Sequence, residues 1–291
     1  MLLNHSIWPQ KARERWVRVL VVVCAMLFAD QAQAQPSFPS DLNQASLRVQ
    51  AMDTIYEFDL SSDQLKDFRI AANGSASQQQ RTPAKGTPKL IQALREFSNA
   101  LAEGKDDNRI SSARVAMMQL LDDDNVHLDD EVSVSAASRS KAARMAAQLK
   151  ASQIAAFLAS HADEITDPVE LMMSTIEELK EIKNGEGKPE DAPGIIQDNA
   201  QTVAMLVAGT DEAKAKPLVD QVSQWMKSKS ESSSDSPAEK RALEDSAKKI
   251  VGDVAAMKVL SNWLEYTVAR LLSNPQLPSA IETMQLAHRG E

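Results

Sequence analysis

From Asp41 to the C-terminus, apolar side chains recur at steps of three and four residues, in runs opened by a capping residue and closed by Gly, Asn or Pro. Such a stripe covers one face of an α-helix and does not fit a strand, whose faces alternate at every second residue. No segment carries four or more alternating β-branched residues between hairpin turns. The pattern therefore predicts an all-α protein with no sheet, built from about ten short to medium amphipathic helices. Helices of that length are marginal in isolation, so each must bury its stripe against a neighbour. Short connections favour antiparallel neighbours, in one helical array or two adjoining bundles.

The local signals mark the helices one by one. Leu42, Ala45, Val49, Met52 and Tyr56 share a face. Leu60-Ser61-Ser62-Asp63-Gln64-Leu65 starts a second helix, with Ser61 and Gln64 as a capping box and Leu60 stapled onto Leu65. Asn73-Gly74 stops it. Thr87-Pro88 opens a third, lined by Leu90, Leu94, Phe97 and Leu101 as far as Gly104. Ile110, Met117 and Leu121 line a fourth, and alanine-rich helices follow over 135–162. Thr166-Asp167-Pro168-Val169-Glu170 is another start, with Val169, Met172, Ile176 and Leu179 as its stripe. A helix from Asp211 to about Lys227 contains Pro217 and is expected to bend or begin afresh there. KSKSESSSDS, from Lys227 to Ser236, reads as a solvated linker. The last long stripe is Met257, Leu260, Leu264, Val268 and Leu271, with Trp263 and Leu272 beside it.

The N-terminus has a different character. Lys11, Arg13, Arg15 and Arg18 precede an apolar core of 11 residues, Val19 to Ala29, and Ala32-Gln33-Ala34 supplies small residues before a cut. That is the layout of a secretory signal peptide over residues 1–34. Eleven residues make only about 16 Å of helix, roughly half a bilayer core, so no stable membrane span is expected after signal cleavage. The single cysteine, Cys24, lies inside this leader. A cysteine-free mature chain has neither disulfides nor thiolate chemistry. Removing four basic and two acidic residues leaves 28 against 39, a mature net charge of −11. Such acidity argues against nucleic acid as a partner. The stretch GEGKPEDAPG at 185–194 is the best internal boundary, dividing an N-terminal helical region, 35–185, from a C-terminal one, 186–291. The two regions can equally form one continuous domain.

Catalytic patterns are missing. His127, His161 and His288 lie in no HExxH, and there is no GxSxG, GxGxxG or GxxxxGK[ST]. The acidic loop 122–131 fails both calcium-loop registers: from Asp122 the glycine position holds His127, and from Asp123 it holds Leu128. Its carboxylates read as an exposed loop capping a neighbouring helix, with a weak, non-selective cation site as the alternative. His161, near Asp163 and Glu164, reads as a partner for a helix C-terminus, with a metal or acid–base pair as the sharper alternative. The ten methionines of the mature chain and Trp225 and Trp263 fall on helical stripes and read as core. No catalytic, cofactor-binding or metal-ligating residue is assigned, and no cofactor is expected.

Two resemblances add to this reading. Leu128-Asp129-Asp130-Glu131-Val132, Gln153 to Leu158, His161 to Ile165, Asp167 to Leu171, Lys249 to Val254 and Leu271 to Pro275 resemble a family of uncharacterised secreted helical proteins of planctomycete-type bacteria. That likeness implies an exported helical protein and brings no activity with it. Leu60-Ser61-Ser62-Asp63-Gln64 also resembles the LTxxQ motif of small periplasmic stress chaperones, which carry it twice. Leu149-Lys150-Ala151-Ser152-Gln153 would be the second copy, with Lys150 in place of the capping Ser or Thr; Leu60, Gln64, Leu65 and Phe68 match Leu149, Gln153, Ile154 and Phe157. The expected function is an exported, non-catalytic protein-interaction or scaffold module, periplasmic or extracellular in a bacterium, whose partners are other proteins. An ATP-independent periplasmic chaperone of the LTxxQ type is the alternative, and an enzyme with a dispersed site the second. Oligomeric state stays open.

Overall fold

The computed structural model describes residues 37–78, 84–104, 106–123, 132–162, 165–231 and 236–289, the side chains of 122, 123, 288 and 289 excepted. The leader expected at 1–34, with Cys24, lies outside them. So do Asp124 to Glu131 of the acidic loop, Asp163, Glu164, and Ser232 to Asp235 of the expected linker. Among the described residues the chain is all-α, with twelve α-helices where about ten were expected, and no strand. They are α1 (Leu42–Glu57), α2 (Ser62–Ala72), α3 (Pro88–Glu103), α4 (Asp107–Asp123), α5 (Ala136–Ala146), α6 (Ala151–Ser160), α7 (Pro168–Glu181), α8 (Ala192–Ala208), α9 (Glu212–Ser230), α10 (Pro237–Val251), α11 (Ala256–Ser273) and α12 (Leu277–Arg289). A π turn, Ile182–Glu186, follows α7.

The helix starts are built as their capping residues dictate. Ser61 Oγ accepts from Gln64 N at 3.4 Å while Gln64 Oε1 accepts from Ser61 N at 2.9 Å, closing the capping box of α2. Thr87, Asp167 and Ser236 cap α3, α7 and α10 by accepting from first-turn backbone N–H groups, each followed by proline. Asp41 caps α1 with one carboxylate oxygen and accepts from Ala84 N with the other, so the chain before α3 is tied to the start of α1.

One sequence expectation is narrowed and two are corrected. Of the bend or fresh start expected at Pro217, the fresh start does not occur: α9 runs through it, because the proline lacks a single N–H near the start of a long helix. The same helix continues over Lys227 to Ser230, the first part of the expected linker, where Lys227 and Lys229 complement the C-terminal dipole. Met257 is 75% exposed instead of lining the core, since it sits in the first turn of α11 before that helix reaches the body. Its buried face runs instead through Val259, Trp263, Leu264, Val268, Leu271 and Leu272. Met118 of α4, also read as core, is 50% exposed, whereas Met52, Met145, Met172, Met226 and Met284 are buried, as core filling requires.

Phe38 to Glu291 form one compact unit with two apolar clusters. The larger draws on α1 to α6 and on α11 and α12, with Phe58, Phe68, Phe97 and Phe157 as its largest fully buried side chains. The smaller is built by α7 to α10 around Met172, Ile176, Val203, Val222 and Met226. The stretch 185–194 thus joins two helices of the smaller cluster, and α11 returns the chain to the larger one. A polar bond marks that return: Asn262 Nδ2 of α11 donates to Leu206 O at 2.9 Å and Val207 O at 2.8 Å in the last turn of α8. Gly209 closes α8 at φ 60°, and a Cβ there would lie 2.8 Å from Asn262 Oδ1, so the approach requires glycine.

The two similar helix starts, α2 and α6, meet. Gln64 Nε2 donates to Gln153 Oε1 at 3.0 Å, and Gln153 Nε2 donates to Gln64 Oε1 at 3.1 Å. Each amide also reaches the chain preceding the other helix, Gln64 to Gln148 O at 2.9 Å and Gln153 to Phe58 O at 2.9 Å and Asp59 O at 2.5 Å. Gln153 Oε1 accepts from Lys150 N at 2.8 Å, as Gln64 Oε1 does from Ser61 N. The Lys150 side chain provides no cap. The glutamines carry the reciprocal arrangement, at an offset of 89 residues.

Candidate functional site

Helix α1 carries Gln50, Asp53, Thr54 and Glu57 at positions i, i+3, i+4 and i+7, so all four share one face. That face lines a cavity of about 250 Å³, opposite Trp263, Tyr266, Thr267 and Arg270 of α11. Phe157 of α6, His161 just beyond it and Met205 of α8 also line it. The Phe157 ring packs 4.1 Å from Phe58 and 5.1 Å from Trp263, and the His161 ring lies 4.5 Å from Phe157 and 5.1 Å from Trp263.

The two carboxylates of this cleft, Asp53 and Glu57, are paired across helices. Arg114 of α4 bonds both Asp53 and Glu57 through Nη2, reaching Glu57 Oε1 at 3.1 Å, and its guanidinium lies over the Phe97 ring. Burial raises the Asp53 carboxyl above its ordinary range, and Arg114 only partly offsets this. Glu57 is raised too, by burial first and then by the charge of Asp53, against the pull of His161 and Arg114. Burial works against the charge of Arg114, but the two carboxylates together hold its pKa above the usual value. At the edge of the cluster Tyr56 donates to Asp107, and that bond, with burial, pushes the phenol up to about 12.

His161 sits at the end of α6, where its Nδ1 lies 2.9 Å from Phe157 O and 3.0 Å from Ser160 Oγ. Its Nε2 lies 3.4 Å from Glu57 Oε2. A carbonyl oxygen only accepts, so the bond to Phe157 O needs the proton on Nδ1; Ser160 Oγ donates to the same carbonyl at 2.9 Å. In a neutral ring, Nε2 would then face the Glu57 carboxylate lone pair against lone pair. The contact becomes attractive when the pair holds one further proton, on the imidazole or on the carboxyl. Chemically, the cleft can store one proton between two groups and present it beside an aromatic wall.

His161 therefore serves the helix end as the sequence suggested, but its charged partner is Glu57 on a distant helix. Asp163 and Glu164, the expected neighbours, lie outside the described residues, as does His127; the side chain of His288 is likewise undescribed. Asp53, Glu57 and Arg114 were missed. The available signal was the run of four polar residues at helical spacing on an otherwise buried helix. Trp225 is buried, as read, and its Nε1 donates to Ser246 Oγ at 2.9 Å. Among the described residues no group of three His, Cys, Asp or Glu side chains is placed to hold a metal ion, and no helix is long and apolar enough to cross a membrane. Compared with protein-family models, with curated proteins and with solved structures, the chain matches none.

Proposed function

We propose that this chain is an exported, non-catalytic helical protein that acts as an interaction or scaffold module for another protein. One observation carries the reading: how few large apolar side chains lie outside. Among the described residues they are Ile70, Val115, Met118 and Met257, spread over α2, α4 and α11, and only Val115 and Met118 share a helix face. A holdase that captures many unfolding chains needs a broad apolar surface, and these scattered residues do not form one. The cleft agrees with a non-catalytic role, because its charged groups are largely engaged with one another: Arg114 with both carboxylates, and His161 with Phe157 O and Glu57.

The ATP-independent chaperone of the LTxxQ type is the second reading, favoured by the meeting of the two motif-like helix starts through Gln64 and Gln153. One assay separates the two readings. Light scattering of an unfolding client, with this protein at near-equimolar ratio and no ATP, should show undiminished aggregation. Suppression that disappears in a folded Val115→Asp, Met118→Asp variant would replace the interaction reading with the chaperone one.

A further inference from the structure

We propose that α6 is a proton-latched flap, hinged at the Gln64–Gln153 amide pair and held at its far end by the one proton shared between His161 and Glu57. The proposal goes beyond the interaction reading and does not depend on it. Only two residues of α6 are buried, Gln153 and Phe157. With His161 they stand at i, i+4 and i+8, one face of the helix. The first anchor is a neutral amide pair with complementary donors and acceptors, and nothing in it titrates. The middle anchor is a ring packed among rings. The last anchor is attractive only while a proton sits between Nε2 and Oε2.

Losing that proton leaves two lone pairs facing each other beside a second carboxylate. The ring can neither turn nor move its proton to Nε2 without giving up the Nδ1–H bond to Phe157 O on its own helix. The strain therefore falls on the last turn of α6. That turn separates two spaces: the cleft of about 250 Å³ on the side of Phe157 and His161, and a groove of about 610 Å³ on the side of Ala156 and Ser160. Lifting it opens the cleft towards the groove while the helix start stays fastened.

The described charged and titratable groups around the latch come from four directions. Helix α1 supplies Asp53, Tyr56 and Glu57, and α4 supplies Asp107 and Arg114. Helix α11 supplies Tyr266 and Arg270 across the cleft, and α6 itself adds the Ser160 hydroxyl. Arg114 is committed to the carboxylates and carries no titratable proton in the accessible range, so it offers no proton to the latch, whose contact is the one between His161 Nε2 and Glu57 Oε2. The burial of Glu57 beside Asp53, which raises its carboxyl, acts in the same direction by favouring the protonated pair.

Amide hydrogen exchange of the full chain, corrected for intrinsic rates, tests this at about pH 5.5 and about pH 8.5. Protection in the last turn of α6 should fall about tenfold at the higher pH, with the start of α6 and all of α1 unchanged. In Glu57→Gln the amide can donate to Nε2 at either pH, so the turn should stay protected throughout. In His161→Phe, which keeps a ring in place and removes the latch, it should be open at both. Equal protection of the wild-type turn at the two pH values, loss along the whole of α6 together, or a pH-dependent fall that persists in Glu57→Gln would each overturn the proposal.

Discussion

Replacing Gln153 with alanine removes more than its exposure of 6% suggests. The amide offers two donor hydrogens to Phe58 O, Asp59 O and Gln64 Oε1, and its oxygen accepts from Gln64 Nε2 and Lys150 N. At most four of these can be full hydrogen bonds at once. A net bond contributes about 1 kcal/mol, and a buried partner left unpaired costs about 1–3 kcal/mol. Gln64 keeps Gln148 O and Ser61 N, so the orphaned groups are chiefly the carbonyls before α2 and the Lys150 amide at the start of α6. The expected loss is about 3 kcal/mol. For a chain of this size that lowers Tm by about 6–12 °C. Urea unfolding followed by circular dichroism at the helical band measures it. The cycle with Gln64→Ala should show a coupling of about 1–2 kcal/mol, because the two amides satisfy each other. A Gln153→Ala stability within about 0.5 kcal/mol of wild type would refute the reciprocal pairing as a structural element.

Other consequences follow from single contacts. Because burial raises Asp53 and Glu57, the folded chain binds their protons more tightly than the unfolded chain; stability is therefore fullest below the ordinary values of 3.8 and 4.5 and is lost as pH rises through the raised ones. Glu57→Gln should flatten that decline in a series of urea midpoints against pH, and an unchanged slope would show that Glu57 is not its source. Gly209→Ala places a methyl 2.8 Å from Asn262 Oδ1 at a φ of 60°, and should cost about 1–3 kcal/mol in thermal unfolding. Leu60 is only half-buried, so Leu60→Ala should cost about 1 kcal/mol, and a midpoint equal to wild type would remove the staple to Leu65.

What could be read in the residues was what is local. Caps at Ser61, Thr87 and Asp167 depend on side chains within a few positions, and each is built as its pattern implies. The stripe ending at Leu272 was legible too, but periodicity alone does not say where a helix leaves the body, which is why Met257 was placed inside. The repeat around Gln64 and Gln153 was visible as spacing. That the two copies bond each other was not, because an offset between similar starts carries no distance in space. The cleft was the least legible part. Glu57, Arg114 and His161 come from three helices, and no spacing along the chain links them. The polar run on α1 was the single trace, and on a helix of unknown packing such a run reads equally well as a solvated face.

The claim that this chain works by binding one complementary protein is tested most directly by photo-crosslinking in its native cell. A photoreactive side chain would be placed in turn at the exposed positions 70, 115, 118 and 257. The account predicts one discrete adduct, of the same mass from every position that gives one. A broad ladder of adducts, or none from any of the four, would contradict it.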